Sequence, residues 1–167
     1  MGLRGVGIEV MMRHVLLFAL LSLLPVGCAT HYIPNTDVED NDDNRKVIAF
    51  CERYRRAVEE RNVPLLLTMA SPGYFEDGGN VDASDDMDYA GLKDYLEGRF
   101  KDARAIRYEI HYRHVSTDQQ NHISVEYTYT ASYRIPGMHG EEWRHTVSDN
   151  RLELVPEQDS FKILTGM

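Results

Sequence analysis

Between residues 122 and 135 apolar and polar positions alternate without a break. Ile123, Val125, Tyr127, Tyr129, Ala131, Tyr133 and Ile135 fall on one face of an extended segment, and Ser124, Glu126, Thr128, Thr130, Ser132 and Arg134 on the other. Successive side chains of a strand point to opposite sides, so this run of aromatic and β-branched residues predicts a central strand with one covered face. The same period starts earlier: Ile106, Tyr108, Ile110 and Tyr112 share a face with His114 in a strand expected over residues 104–115. Polar residues 116–121 read as the turn between two antiparallel neighbours. After a turn at 136–140 a third strand is expected from Glu142. Its apolar residues change parity, from Trp143, His145 and Val147 to Leu152 and Leu154, and a regular strand cannot bury both sets on one face. The expectation is a bulge or sharp bend at 148–151, an end at Pro156, and a last short strand over 161–164.

Upstream the period is helical. Residues 45–61 set Val47, Ile48, Cys51, Tyr54, Ala57 and Val58 three and four apart, with Arg and Glu elsewhere, which predicts an amphipathic helix. Asn62 closes it. Val63 and Pro64 open a shorter helix through Leu66 and Met69 that Ser71 and Pro72 stop. Tyr74, Phe75 and Glu76 read as a short strand before the Asp77-Gly78-Gly79 turn. A third helix is expected over 89–101, where Leu92, Tyr95, Leu96, Arg99 and Phe100 recur at helical spacing. The loop before it carries Asp82, Asp85, Asp86 and Asp88. An EF-hand counted from Asp82 would need Gly and Glu where Met87 and Lys93 stand, so the loop reads as solvated rather than as a metal site. Two or three helices ahead of four long antiparallel strands and a short one place the chain in the α+β class.

At 167 residues and 43% hydrophobic the chain suits one globular domain with a core of its own. Its 27 acidic against 18 basic residues repel a phosphate backbone, which argues against nucleic acid as a partner. Cys28 and Cys51 form no disulfide framework or zinc knuckle, and Cys51, sharing a helix face with Val47 and Tyr54, reads as a small buried hydrophobe.

The amino terminus reads as an address. Arg13 and His14 precede an uncharged stretch at 15–26 that is too short for a bilayer needing about 20 apolar residues, and it matches the apolar region of a signal peptide. The expected translation start is Met11 or Met12, which would leave residues 1–10 untranslated. Leu24-Pro25-Val26-Gly27-Cys28 resembles the lipobox of bacterial lipoproteins, with Leu four rather than three positions before the cysteine. The resemblance implies a signal peptide ending at residue 27, a lipid on Cys28, and a membrane-anchored domain on the periplasmic side of a bacterial envelope. Residues 28–44, with five acids among the seven residues from Asp37 to Asp43, are expected to be a solvated tether ahead of a domain at 45–167.

The order of elements, with Tyr54, Ala57, Val58, Asn62, Leu66 and the Tyr74-Phe75-Glu76 strand, resembles the opening pattern of the NTF2-like superfamily, also called the SnoaL-like or cystatin-like fold. That resemblance implies a curved sheet wrapped around helices as a cone with one internal pocket. It implies no single activity, because such a fold hosts isomerases, hydrolases, cyclases and binding modules.

Placed on that cone, Tyr54, Tyr108, Tyr112, His114, Tyr127, Tyr129 and Trp143 either fill the core or line a ligand pocket. An isomerase or hydrolase would need a desolvated carboxylate as base and a donor for the developing oxyanion. Asp149, at the expected bulge, is the candidate base, with Tyr127, Tyr129 or His114 as donor and Arg151 as an ion-pair partner that would hold the carboxyl ionised. His114 and His145 lack a third ligand, so no metal or cofactor is expected. The leading expectation is a non-catalytic lipoprotein binding a small apolar or amphipathic ligand or an envelope partner. The alternatives are the Asp149 enzyme and a homodimer packed through the convex sheet face.

Overall fold

In a computed structural model, residues 30–78, 84–138 and 140–167 are described, and His31–Met167 form one compact unit. The expected export segment, the lipobox-like stretch and Cys28 lie outside the described residues. The helix opening the domain, α1 (Asp42–Glu59), starts ahead of the expected residue 45 because Asn41 caps it, its side chain accepting the Asn44 N–H at 2.9 Å. Asp42 and Asp43 stand in its first turn, where negative charge favours a helix amino terminus. Helix α2 (Val63–Met69) is capped in the same way by Asn62. A two-residue strand, β1 (Phe75–Glu76), pairs with β2 (Met87–Asp88), and α3 (Tyr89–Lys101) follows, capped by Asp88.

The four long strands are β3 (Ala105–Thr117), β4 (Ile123–Gly137), β5 (Gly140–Glu157) and β6 (Ser160–Thr165), antiparallel and adjacent in chain order. The alternating 122–135 run is β4, inside the sheet, and its odd positions Ile123, Val125 and Tyr127 are buried against the helices as the pattern predicts. Val47, Phe50, Cys51, Tyr54 and Ala57 of α1, Leu66 of α2, Leu92 and Leu96 of α3, and Leu152, Leu154 and Ile163 of β5 and β6 complete the core. Phe50 meets Phe161 edge to face at 5.7 Å. Cys51 is fully buried in it, and burial pushes its thiol pKa upward.

Three differences from the sequence expectations follow from pairing and packing. The first concerns the tether. Val38 is buried, the Asp37 N–H donates to the Tyr112 carbonyl at 2.9 Å, and Tyr32 bridges Glu39, so the stretch from His31 to Asn41 is folded onto β3.

The second is in β3. Tyr112 pairs with Tyr127 but His114 pairs with Glu126, leaving Arg113 as an extra residue in a β-bulge. Beyond it Val115 and Thr117, not His114, take the helix-facing side.

The third is in β5. Its register with β4 runs unbroken from Ile123 opposite Leu154 to Gly137 opposite Gly140, with no bulge at 148–151. The two apolar sets occupy opposite faces: Leu152 and Leu154 are buried inward, whereas Trp143 and Val147 look outward, 49% and 67% exposed. Trp143 is tolerated there because Arg107 and Arg134 stack on it, 5.1 and 5.9 Å from the ring centre. The strand also continues past Pro156, which pairs with Phe161.

Strand β3 is a sheet edge, and the edge is covered at two points. Besides the Asp37 contact, Glu59 accepts the Tyr108 N–H at 2.9 Å and Arg55 donates to the Tyr108 carbonyl at 3.0 Å, so α1 supplies the partners that a neighbouring strand would give.

Candidate functional site: the tyrosine-lined cone

Tyr54 from α1 and the inward residues of β3 and β4 converge on the concave side of the sheet. The register sets Ile106 opposite Tyr133, Tyr108 opposite Ala131 and Ile110 opposite Tyr129. Tyr54 meets Tyr108 edge to face at 6.5 Å, and Tyr108 meets Tyr129 at 5.4 Å. Between this floor and α3 lies a cavity of about 330 Å³, walled further by Tyr95, Phe100, Ala103 and Ile135 and edged by Arg99, Asp102, Thr146 and Asn150. It is of the size and apolar character of small-ligand sites.

Of the aromatic residues singled out from sequence, Tyr54, Tyr108 and Tyr129 line this cavity. Tyr112 and Tyr127 are in the core beneath it, their rings 6.3 Å apart. The Tyr112 hydroxyl donates to Glu52 at 3.0 Å. The Tyr127 hydroxyl, fully buried, finds no hydrogen-bond partner among the described residues. It lies near enough to the Tyr108 phenol for each to influence the other's ionisation, yet no well-formed hydrogen bond joins them.

His114 and Trp143 are not in the cavity. The Arg113 bulge turns His114 to the outer face, and the unbroken β5 register does the same for Trp143. Asp149 also faces outward. It accepts from Thr128 Oγ1 at 2.7 Å and pairs with Arg113 at 3.2 Å, and these partners, the hydroxyl foremost, hold its carboxyl below the usual value. The expected Arg151 partner instead pairs with Glu153 at 3.0 Å. His145 faces outward too, bonded to Ser132 at 2.7 Å. Among the described residues no group of three or more His, Cys, Asp or Glu side chains is placed to hold a metal ion.

The parity that picked out Tyr127 and Tyr129 also contains Tyr133 and Ile135, and Ile106 precedes Tyr108 on its own face. These were legible as wall residues. Tyr95 and Arg99, one turn apart on α3, were legible as a helix face but not as a cavity wall, since that depends on where α3 crosses the sheet.

Chemically the cavity is lined mainly by phenols and apolar side chains. Burial pushes Tyr108 up to about 12 and Tyr54 well above its ordinary value, so both phenols stay protonated and act as hydrogen-bond donors, not bases. Among the described residues Asp102, exposed at the rim, is the one acidic side chain in the lining, and none of the lining residues is a histidine.

Solved structures of other proteins share this architecture. One is a protein assigned as a dehydratase of the NTF2-like family from Streptomyces avermitilis, with a TM-score of 0.59 at 11% identity, over 74% of this chain and 93% of that one. The chain has the NTF2-like fold. A protein assigned as a scytalone dehydratase from Novosphingobium aromaticivorans is similar at a TM-score of 0.59 and 11% identity, over 74% of this chain and 80% of that one. A protein assigned as a calcium/calmodulin-dependent protein kinase II association domain from Xanthomonas campestris reaches 0.61 and 13%, over 83% and 94%. No family model matches the sequence, and no curated protein matches it. Likeness at such identities carries the NTF2-like fold and not an activity, and the three proteins themselves span enzyme and association-domain assignments.

Proposed function

We propose that this protein is an envelope lipoprotein whose NTF2-like domain holds a small apolar or amphipathic ligand without transforming it. The observation that carries the reading is the cone itself: an aromatic cavity of about 330 Å³ whose one acidic lining side chain among the described residues, Asp102, is exposed at the rim. Proton abstraction needs a desolvated carboxylate or an imidazole within reach of the substrate, and the candidates, Asp149 and His114, are on the opposite face of the sheet. The lipid on Cys28 and the periplasmic location belong to the same reading and rest on the amino-terminal sequence.

Native mass spectrometry of the purified protein tests it. The expected spectrum shows an adduct of a few hundred daltons that is lost on denaturation. A spectrum without any adduct, together with no uptake of aromatic probes, would count against ligand binding.

A partner-binding reading draws on one observation, the outward exposure of Trp143 and Val147 on the convex face. Sedimentation of the wild type and Trp143→Ala tests it, a dimer lost in the variant being the supporting outcome.

A further inference from the structure

One of the polar side chains around the cone is a cation without an ion-pair partner among the described residues. Asn150 offers little to a ligand, because its Nδ2 donates to the Gly166 carbonyl at 3.1 Å and its Oδ1 accepts the Arg151 N–H at 2.8 Å. The phenols are protonated donors. Arg99, in the last turn of α3, lies at the rim with its guanidinium 5.7 Å from the centre of the Tyr95 ring. Arg134 and Arg144 on the sheet are paired with Glu141 at 3.1 Å and Glu142 at 3.2 Å, whereas Arg99 forms no ion pair with any described residue. Asp102 lies on the same rim without pairing with it. A chain of net charge −9 thus presents an unpaired guanidinium at the mouth of an aromatic cavity.

We infer that the cone takes an anionic aromatic amphiphile, its planar apolar body among the tyrosines and its acid group at Arg99. This rests on the ligand-holding reading above and names the ligand class. A guanidinium is planar, weakly hydrated and matched to a carboxylate by two parallel N–H donors. Stacking on Tyr95 already restrains Arg99, so less freedom is lost when the acid docks. A neutral ligand of the same shape forfeits that contact, and a cation meets Arg99 as a like charge.

The test uses a matched pair of probes, 2-naphthoate and its uncharged isostere 2-naphthamide, titrated calorimetrically into the full chain in phosphatidylcholine nanodiscs, with empty nanodiscs as the blank. The expected result is naphthoate binding about fivefold more tightly than naphthamide, the scale of an exposed charge pair. Arg99→Gln is expected to abolish that preference. Ala131→Trp and Ile135→Trp, each filling the cavity from β4, are expected to remove both probes while circular dichroism stays native.

Equal binding of the two probes would overturn the anionic class and leave ligand holding intact. A preference that survives Arg99→Gln would overturn the assignment to Arg99. Absence of binding by either probe would overturn both readings, and binding that persists in both folded Trp variants would move the ligand out of the cone.

Discussion

Thr128 and Asp149 face each other across β4 and β5, the threonine hydroxyl donating to the carboxylate at 2.7 Å on the side of the sheet turned away from the helices. That bond, with Arg113 at 3.2 Å, favours the ionised form and keeps the Asp149 pKa below its ordinary 3.8. A carboxylate held this way is a poor base. Carboxyl-carbon NMR is expected to show Asp149 titrating below 3.8 and Thr128→Val moving that titration upward. The sign of the stability effect follows: a depressed folded-state pKa stabilises above the unfolded value, and the contribution is lost as pH falls through the folded one. Asp149→Asn is expected to leave probe binding in the cone unchanged. A midpoint near neutrality, or loss of binding in that variant, would contradict the outward placement.

Two tyrosines one strand apart are expected to respond in opposite ways to loss of their hydroxyl. Tyr112 donates to Glu52, a charged acceptor that also receives Arg55 at 2.9 Å, so Tyr112→Phe should cost about 1–2 kcal/mol. The buried Tyr127 hydroxyl has no partner among the described residues, and Tyr127→Phe removes an uncompensated polar group. It should be neutral or stabilising by up to about 1 kcal/mol. Urea midpoints at unchanged m-value measure both. A Tyr127→Phe variant as destabilised as Tyr112→Phe would mean that the hydroxyl is bonded after all, for instance to an internal water.

How far the sequence carried is visible in β4 and β5. Alternation over 122–135 was enough to assign the inner face, because burial of Ile123, Val125 and Tyr127 depends on the period alone. It was not enough for His114, since one extra residue, Arg113, reverses every later side chain and no local residue type announces it. For β5 the parity change was legible but its cause was not. A bulge and a strand that is apolar on both faces leave the same pattern, and only the Arg107 and Arg134 contacts to Trp143 show that the outward face accommodates an aromatic. Asp149 was expected at that bulge, and the unbroken register instead turns it to the outer face.

The Tyr108 edge contact gives a separate test of how the sheet is protected. Glu59 accepts the Tyr108 N–H and also receives Arg55 at 2.7 Å, so Glu59→Ala removes the acceptor and loosens the cation that covers the Tyr108 carbonyl. Leaving one backbone donor in a half-buried site without its partner costs about 1–3 kcal/mol. The amide of Tyr108 should lose hydrogen-exchange protection selectively, and the variant should associate more readily through the freed edge. Glu59→Gln retains an acceptor oxygen and should fall between the two. Unchanged exchange at Tyr108 in Glu59→Ala would show that water alone suffices there.

The proposed membrane anchor is a lipid on Cys28, and the chain's other thiol is Cys51. Cys51 is fully buried in the core and burial raises its pKa, so neither access nor thiolate favours its modification in the folded protein. Two residues, Ala29 and Thr30, stand between Cys28 and His31, where the compact unit begins. Metabolic labelling with a palmitate analogue should therefore mark the wild type and Cys51→Ala equally and leave Cys28→Ala unmarked. In detergent phase partition Cys28→Ala should pass to the aqueous phase, because each buried CH₂ of an acyl chain contributes about 0.8 kcal/mol to membrane retention. Label that persists in Cys28→Ala would exclude that cysteine as the lipid attachment point, and an unlabelled Cys28→Ala still held in the detergent phase would locate the anchor elsewhere in the chain.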